Sequence, residues 1–215
     1  SSLVAINNAV ESLKRKQCDM AIVGGVNLLL SPATFVALSQ IQALSPDGRC
    51  KAFDASADGY GRGEGCGVLI LKRLEDAEAD GNHIEAVIKG SCVGQDGKSN
   101  GFFAPNGLAQ QRIMKDALQQ SHLKVEDIDY IETHGTGTVL GDYIESQSIC
   151  EVYKNRKDKL WIGSVKSCIG HLEAAAGMAG VIKLLLCFKH GKIPPSIHFD
   201  NPNPRVDWTK LQYID

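Results

Sequence analysis

Two short segments hold the residues best suited to chemistry, Glu132-Thr-His-Gly-Thr-Gly-Thr138 and Lys166-Ser-Cys-Ile-Gly-His-Leu-Glu-Ala-Ala-Ala-Gly177. Each sets a histidine, His134 or His171, beside a glycine and just beyond a run that reads as a β-strand. Glycine there allows tight turns and close backbone approach that a side chain would block. A neutral imidazole can donate its N–H to a developing oxyanion, and an unperturbed pKa of about 6.5 keeps proton transfer within reach. Two imidazoles converging on one pocket can hold a single substrate oxygen between them. A lone histidine at a strand end can simply satisfy backbone groups, so it is the paired contexts that point to a catalytic site. Lys166, five residues before His171, could ion-pair with Glu173 or line the same pocket, where its charge would act on the histidines; the plainer reading is a solvated lysine. Thr136 and Thr138 offer hydroxyls suited to the amides of an extended substrate arm; the plainer reading is that they cap the loop.

The elements that must position these residues follow from periodicity. Leu3, Ile6, Val10 and Leu13 recur at helical spacing, and residues 19–23 form a short apolar strand expected to end at Gly24-Gly25. Ser31-Pro32 reads as an N-cap and first-turn proline for a helix through Gln40, followed by a Gly- and Asp-rich loop over residues 45–67. Strands are expected at residues 68–71 and 84–93 around a short acidic turn of helix, and a helix at residues 107–121. Strand 128–132, helix 142–153, strand 160–165 and helix 173–189 then alternate, the signature of an α/β protein with a largely parallel buried sheet. Both histidines then lie at the C-terminal edge of that sheet, where ligands of open α/β folds bind. Residues 194–215 contain four of the seven prolines and read as an extended tail on the surface.

Composition narrows the function classes. With 215 residues and 43% hydrophobic content the chain can bury a real core, which excludes disorder. The balance of 23 basic against 25 acidic residues gives no basic excess for a nucleic-acid partner. Seven cysteines, odd in number, scattered and without a C-x-x-C pair, argue against a disulfide framework and a metal site, and fit a reducing cytoplasm. No apolar run approaches the about 20 residues needed to span a membrane. Several resemblances fail on spacing. Gly94-Gln-Asp-Gly97-Lys98-Ser99 has two residues between its glycines where a phosphate loop needs four, and His171-Leu-Glu173 lacks the P-C-x-x-C of a deaminase zinc site. The glycines at 59–67 are out of phase for a dinucleotide loop and read as a flexible hinge or gate.

The two histidine segments resemble the HGTGT and K-S-x-I-G-H-x-E-A-A-A-G motifs of β-ketoacyl synthases, above all the ketosynthase domains of modular polyketide synthases. Asp54-Ala-Ser-Ala-Asp-Gly-Tyr-Gly-Arg-Gly-Glu-Gly65 is similar to that family's F-D-x-x-A-D-G-Y-x-R-G-E-G loop, and Ala104-Pro-Asn-Gly107 also fits. Ser1-Ser2-Leu3-Val4-Ala5 is similar to the residues just after the family's D-T-A-C-S-S-S-L turn, which would put the nucleophilic cysteine two residues before Ser1, at the N-terminus of the first helix.

The resemblance implies a thiolase-like layered α/β fold truncated at both ends, residues 1–80 ending the N-terminal half and residues 81–215 forming most of the C-terminal half. It implies decarboxylative Claisen condensation, with His134, His171 and Lys166 catalytic, Glu173 supporting, and Thr136 and Thr138 on the substrate arm. It further implies no permanently bound cofactor, substrates carried on the phosphopantetheine of an acyl carrier protein, a homodimer, and neighbouring domains of a multidomain synthase. Polyketide and fatty acid products both remain open. Cys168 stands where the family has Asn and is expected to be a small buried thiol; Tyr143 replaces the proline of G-D-P-I-E. Competing readings are a non-elongating scaffold for dimerisation and carrier docking, a non-decarboxylating thiolase, and a cysteine hydrolase built on Cys168, which would need an imidazole within hydrogen-bond reach.

Overall fold

The computed structural model describes residues 1–99 and 104–213. Helix α1 (Ser2–Lys14) buries Ile6 and Leu13 on the face that the spacing of its aliphatic residues defines. Strand β1 (Met20–Asn27) pairs antiparallel with β2 (Gly65–Lys72), Ile22 lying opposite Ile70 and Val23 opposite Leu69. Between them, α2 (Pro32–Gln40) is capped by Ser31, whose Oγ accepts the Ala33 N–H at 3.2 Å. Helices α3 (Leu74–Ala79) and α4 (Gly107–Ser121) follow, and the Asn106 side chain caps the latter by accepting from Leu108 and Ala109.

The second half is βαβ in pattern. Strand β3 (Tyr130–Glu132) leads through α5 (Val139–Val152) to β4 (Leu160–Gly163). A one-turn helix α6 (Lys166–Ile169), a 3-10 turn (Glu173–Ala175) and α7 (Ala176–His190) come next, and the chain closes on β5 (Leu211–Tyr213). The order β3-β4-β5 is wholly parallel, with Ile131 beside Ile162 and Ile162 beside Tyr213. Phe53, Ile149, Leu160, Ile162, Leu211 and Tyr213 pack into the main core, each fully buried aliphatic stabilising the fold by about 2 kcal/mol. A second cluster joins Ile6, Val23 and Met178, so α1, β1 and α7 share one interior.

Four expectations are corrected. β1 does not stop at Gly24-Gly25 but runs through both glycines to Asn27. A Cβ on Gly25 would stand 2.9 Å from the Ser2 Cβ and 3.3 Å from the Ala175 Cα, so the glycine admits close packing and does not break the strand. Residues 84–93 belong to no strand, because among the described residues none pairs with them. The sheet is not parallel throughout, since β1 and β2 are antiparallel and the outer face they share leaves Ile22, Val26, Val68 and Ile70 more than half exposed. The tail is not merely superficial. Its four prolines are exposed, but Ser196, Asn203, Val206, Leu211 and Tyr213 are buried and β5 completes the core sheet. Residues 214–215 of that tail lie outside the described residues.

Candidate active site

His134 begins the loop that leaves β3, and α5 holds that loop by two carboxylates. Glu145 accepts the N–H of His134 at 2.7 Å and of Gly135 at 2.9 Å, one on each oxygen. Asp142, three residues earlier on the same helix face, accepts Gly137 N–H at 3.2 Å and reaches across to Phe53 N–H at 2.7 Å. Burial pushes both carboxyls up, Asp142 to about 7. Glu145 and Asp142 thus shape the His134 loop although sequence reasoning gave them no role. Their signal was legible only as two acids three apart at a helix start.

His171 is held from its backbone outward. Its N–H donates to the Gly61 carbonyl at 2.7 Å and its own carbonyl accepts from Gly63 at 3.0 Å, a short parallel bridge between residues 61–63 and the turn after α6. Its Nδ1 accepts the Glu173 N–H at 2.8 Å, which places the proton of the neutral ring on Nε2. The backbone at Glu173 is left-handed, φ 43°, a conformation a side-chain-bearing residue holds only when its surroundings fix it. Arg62 does the fixing, donating through Nε at 2.6 Å and a terminal nitrogen at 3.0 Å to the two Glu173 oxygens.

The two imidazoles meet edge to face, ring centres 5.3 Å apart, and the Tyr60 ring meets His171 at a tilt of 52°, 5.1 Å between centres. Burial, followed by the neighbouring Lys166 charge, pushes His171 down to about 4 and His134 to about 3. His134 keeps an edge open to solvent, which tempers its desolvation yet leaves the ring neutral near pH 7.

Lys166 is 5% exposed, so it is no solvated lysine, and its charge acts on both imidazoles. It does not pair with Glu173, because Arg62 already holds that carboxylate. Burial lowers the Lys166 amine, while Glu132 and Glu145 pull it back up. Thr136 is buried and its hydroxyl lies 3.1 Å from that of Thr138, so the two are engaged with each other at the loop's end. Cys168 is exposed rather than buried, because the single turn of α6 turns it away from the core; its nearest polar neighbour is Ser167 Oγ at 3.7 Å. Among the described residues no imidazole bonds it, which removes the hydrolase reading.

The loop leading into the glycine-rich stretch is a strap tied along its length. Cys50 Sγ and Gly61 exchange contacts at 3.3 and 3.5 Å, Lys51 bridges Asp47 and Asp58, and Asp54 accepts the N–H groups of Ser56, Asp200 and Asn201.

Residues 1–77 match the family model of the β-ketoacyl synthase N-terminal domain, and residues 85–200 that of its C-terminal domain. The chain belongs to the β-ketoacyl synthase family. Its fold is the thiolase-like layered fold of solved ketosynthases, of which it covers a part. The ketosynthase from module 6 of the bacillaene synthase of Bacillus subtilis 168 superposes with a TM-score of 0.96 at 46% identity, over 99% of this chain and 38% of that one. An oxazolomycin ketosynthase domain of Streptomyces albus superposes with a TM-score of 0.97 at 39% identity, over 100% and 38%. Among curated proteins, a phenolphthiocerol synthesis polyketide synthase type I of Mycobacterium bovis is 51% identical over 97% of the chain. A spectinabilin polyketide synthase system protein of Streptomyces orinoci is 51% identical over 98% of it. The chain spans only 10% and 6% of the length of those two proteins.

Proposed function

We propose that the protein carrying this chain condenses acyl thioesters by decarboxylative Claisen chemistry in polyketide assembly. The observation that carries the reading is the pair of neutral imidazoles 5.3 Å apart, one from the loop after β3 and one from the turn after α6, with no partner for His171 Nε2–H among the described residues. In this reading a cysteine preceding Ser1 holds the growing acyl group, and the malonyl-type extender arrives on the phosphopantetheine arm of an acyl carrier protein. The bond from the extender α-carbon to its carboxylate breaks, carbon dioxide leaves, and the electron pair moves onto the thioester oxygen. His134 and His171 stabilise that enolate by N–H donation, the kind of preorganised contact that carries most of such a barrier reduction. The enolate carbon then attacks the acyl–cysteine carbonyl; a carbon–carbon bond forms, the carbon–sulfur bond breaks, and thiolate departs. Lys166 supplies positive charge beside both rings, and Glu173 fixes the His171 tautomer through its backbone N–H. Thr136 and Thr138 would bind the carrier arm, and a homodimer within a cytoplasmic multidomain synthase is the setting this reading assumes. Residues 1–80 and 81–215 act in it as parts of the two thiolase-like halves.

The test is decarboxylation of a malonyl-loaded carrier protein by the full ketosynthase across pH. Because both imidazoles stay neutral to about pH 4, the rate should hold level from pH 8 to near 5 and fall only where His171, then His134, takes up a proton. No carbon dioxide release at any pH would move the assignment to the non-elongating scaffold. A limb centred near pH 6.5 would show histidines of ordinary basicity and contradict the charge environment described.

A further inference from the structure

The buried charges that hold the two motif segments together extend beyond the histidine pair. Glu132 ends β3, two residues before His134, with its side chain 8% exposed. Its Oε1 accepts the N–H of Val165, the residue before Lys166, at 2.5 Å. Its Oε2 accepts from Lys183 Nζ at 2.7 Å and from the Tyr130 hydroxyl at 2.7 Å, and Lys183 also donates to the Tyr130 oxygen at 2.8 Å. Two glycines leave the room: a Cβ on Gly163 would stand 2.6 Å from the Tyr130 hydroxyl, and one on Gly180 would stand 3.2 Å from the Glu132 Cγ. One carboxylate therefore ties β3, the turn into α6 and the middle of α7.

Lys183 is a 10% exposed cation in an otherwise apolar stretch of helix. Desolvating such a pair costs about as much as its attraction returns, so stability alone gives little reason for it. Lys166 presents the complementary fact, a buried ammonium with no ion-pair partner among the described residues. The groups whose charge it feels are Glu132, Glu145, Asp142 and the Cys50 thiol, with His134 and His171 facing it from the two loops. Glu132 is thus ion-paired to Lys183 and is also the foremost negative charge acting on Lys166.

We propose that Lys183 is a positioning residue that, by engaging Glu132, leaves the Lys166 ammonium unclaimed beside His134 and His171, while Glu132 anchors the turn on which Lys166 stands. For its effect on turnover the inference rests on the condensation reading; for its effect on Lys166 it does not.

Two single-charge variants of the full ketosynthase separate this role from a structural one. In Lys183→Met the competing cation is gone, Lys166 turns to Glu132, and its titration moves up by about one pH unit. Decarboxylation then falls about tenfold or more while the melting temperature reports any loss of fold. In Glu132→Gln the amide oxygen can still accept the Val165 N–H, but a negative charge is lost and Lys166 titrates about one unit lower. The ε-carbon resonance of Lys166 in lysine-labelled protein reads both shifts without turnover, and the upper limb of the decarboxylation profile should follow it. Lys183→Arg keeps the pair and should keep wild-type values. Should Lys183→Met fail to fold, the charge-balanced double variant with Glu132→Gln is expected to fold and to return Lys166 close to its wild-type titration. Shifts that are absent, or that run in the same direction in the two single variants, overturn the proposal. A wild-type protein that releases no carbon dioxide counts against the condensation reading alone, since the lysine resonance still decides this one.

Discussion

Replacing His171 with alanine is expected to lower decarboxylation of a carrier-bound malonyl group by about 100- to 1,000-fold, the cost of losing one preorganised donor to a developing oxyanion. The expectation rests on how completely the ring is committed. Its Nδ1 is occupied by the Glu173 N–H and its backbone is clamped between Gly61 and Gly63, so only Nε2–H remains to face a substrate. His134 stands 5.3 Å away and can bind the same oxygen, but it cannot supply the second contact by itself. The loss should appear in kcat with little change in KM, because the donor acts on charge that exists only as carbon dioxide leaves. Melting temperature should fall by only a few degrees, since the variant leaves the Glu173 N–H without its partner but takes no residue from the main core. A fall of less than tenfold would sink the two-donor account and leave His134 as the sole oxyanion contact.

The second large effect belongs to a position with no functional group. Gly61→Ala would put a Cβ 1.8 Å from the Gly48 carbonyl oxygen and 2.6 Å from its carbon, backbone against backbone, where no side chain can yield. The strap must then shift, and with it the carbonyl that receives the His171 N–H at 2.7 Å and the contact with Cys50. Overpacking of this kind costs about 2–4 kcal/mol, or several degrees of melting temperature in a protein of this size. The same shift frees His171 and should abolish most decarboxylation. Gly48→Ala is the control. A Cβ there meets nothing within 4 Å, so only its left-handed backbone, φ 72°, resists substitution, at about 1 kcal/mol, and activity should persist. Equal melting temperatures for the two variants would show that the strap is slack.

The histidine pair was legible in the sequence because in both segments a histidine sits beside a glycine shortly after a strand-like run, and local pattern is what a sequence displays best. The parts that fix the pair were not. Arg62 lies 111 residues from Glu173, and Asp142 lies 89 from Phe53, so neither contact leaves a periodic trace. The proximity of Lys166 and Glu173 in the chain suggested an ion pair that a distant arginine had already taken. The tail shows the same limit from the side of the fold. Its prolines are exposed, as the composition suggests, yet Leu211 and Tyr213 enter the core because β4, some 50 residues earlier, offers a parallel edge. Residues 84–93 show the converse, a strand-like composition that remains unpaired among the described residues.

The outer face of the β1–β2 ribbon has a practical side for anyone handling this segment by itself. Met20, Ile22, Val26, Val68 and Ile70 form an uncharged, β-prone ladder open to solvent, the pattern that drives colloidal self-association. Solubility of the isolated segment should be governed there, far from either imidazole. Because Val23, Leu69 and Leu71 anchor the ribbon inward, exchanging Ile22 and Ile70 for lysine and glutamate should suppress light scattering without disturbing the packing beneath. Shelf life and chemistry are thus separately adjustable properties of this chain.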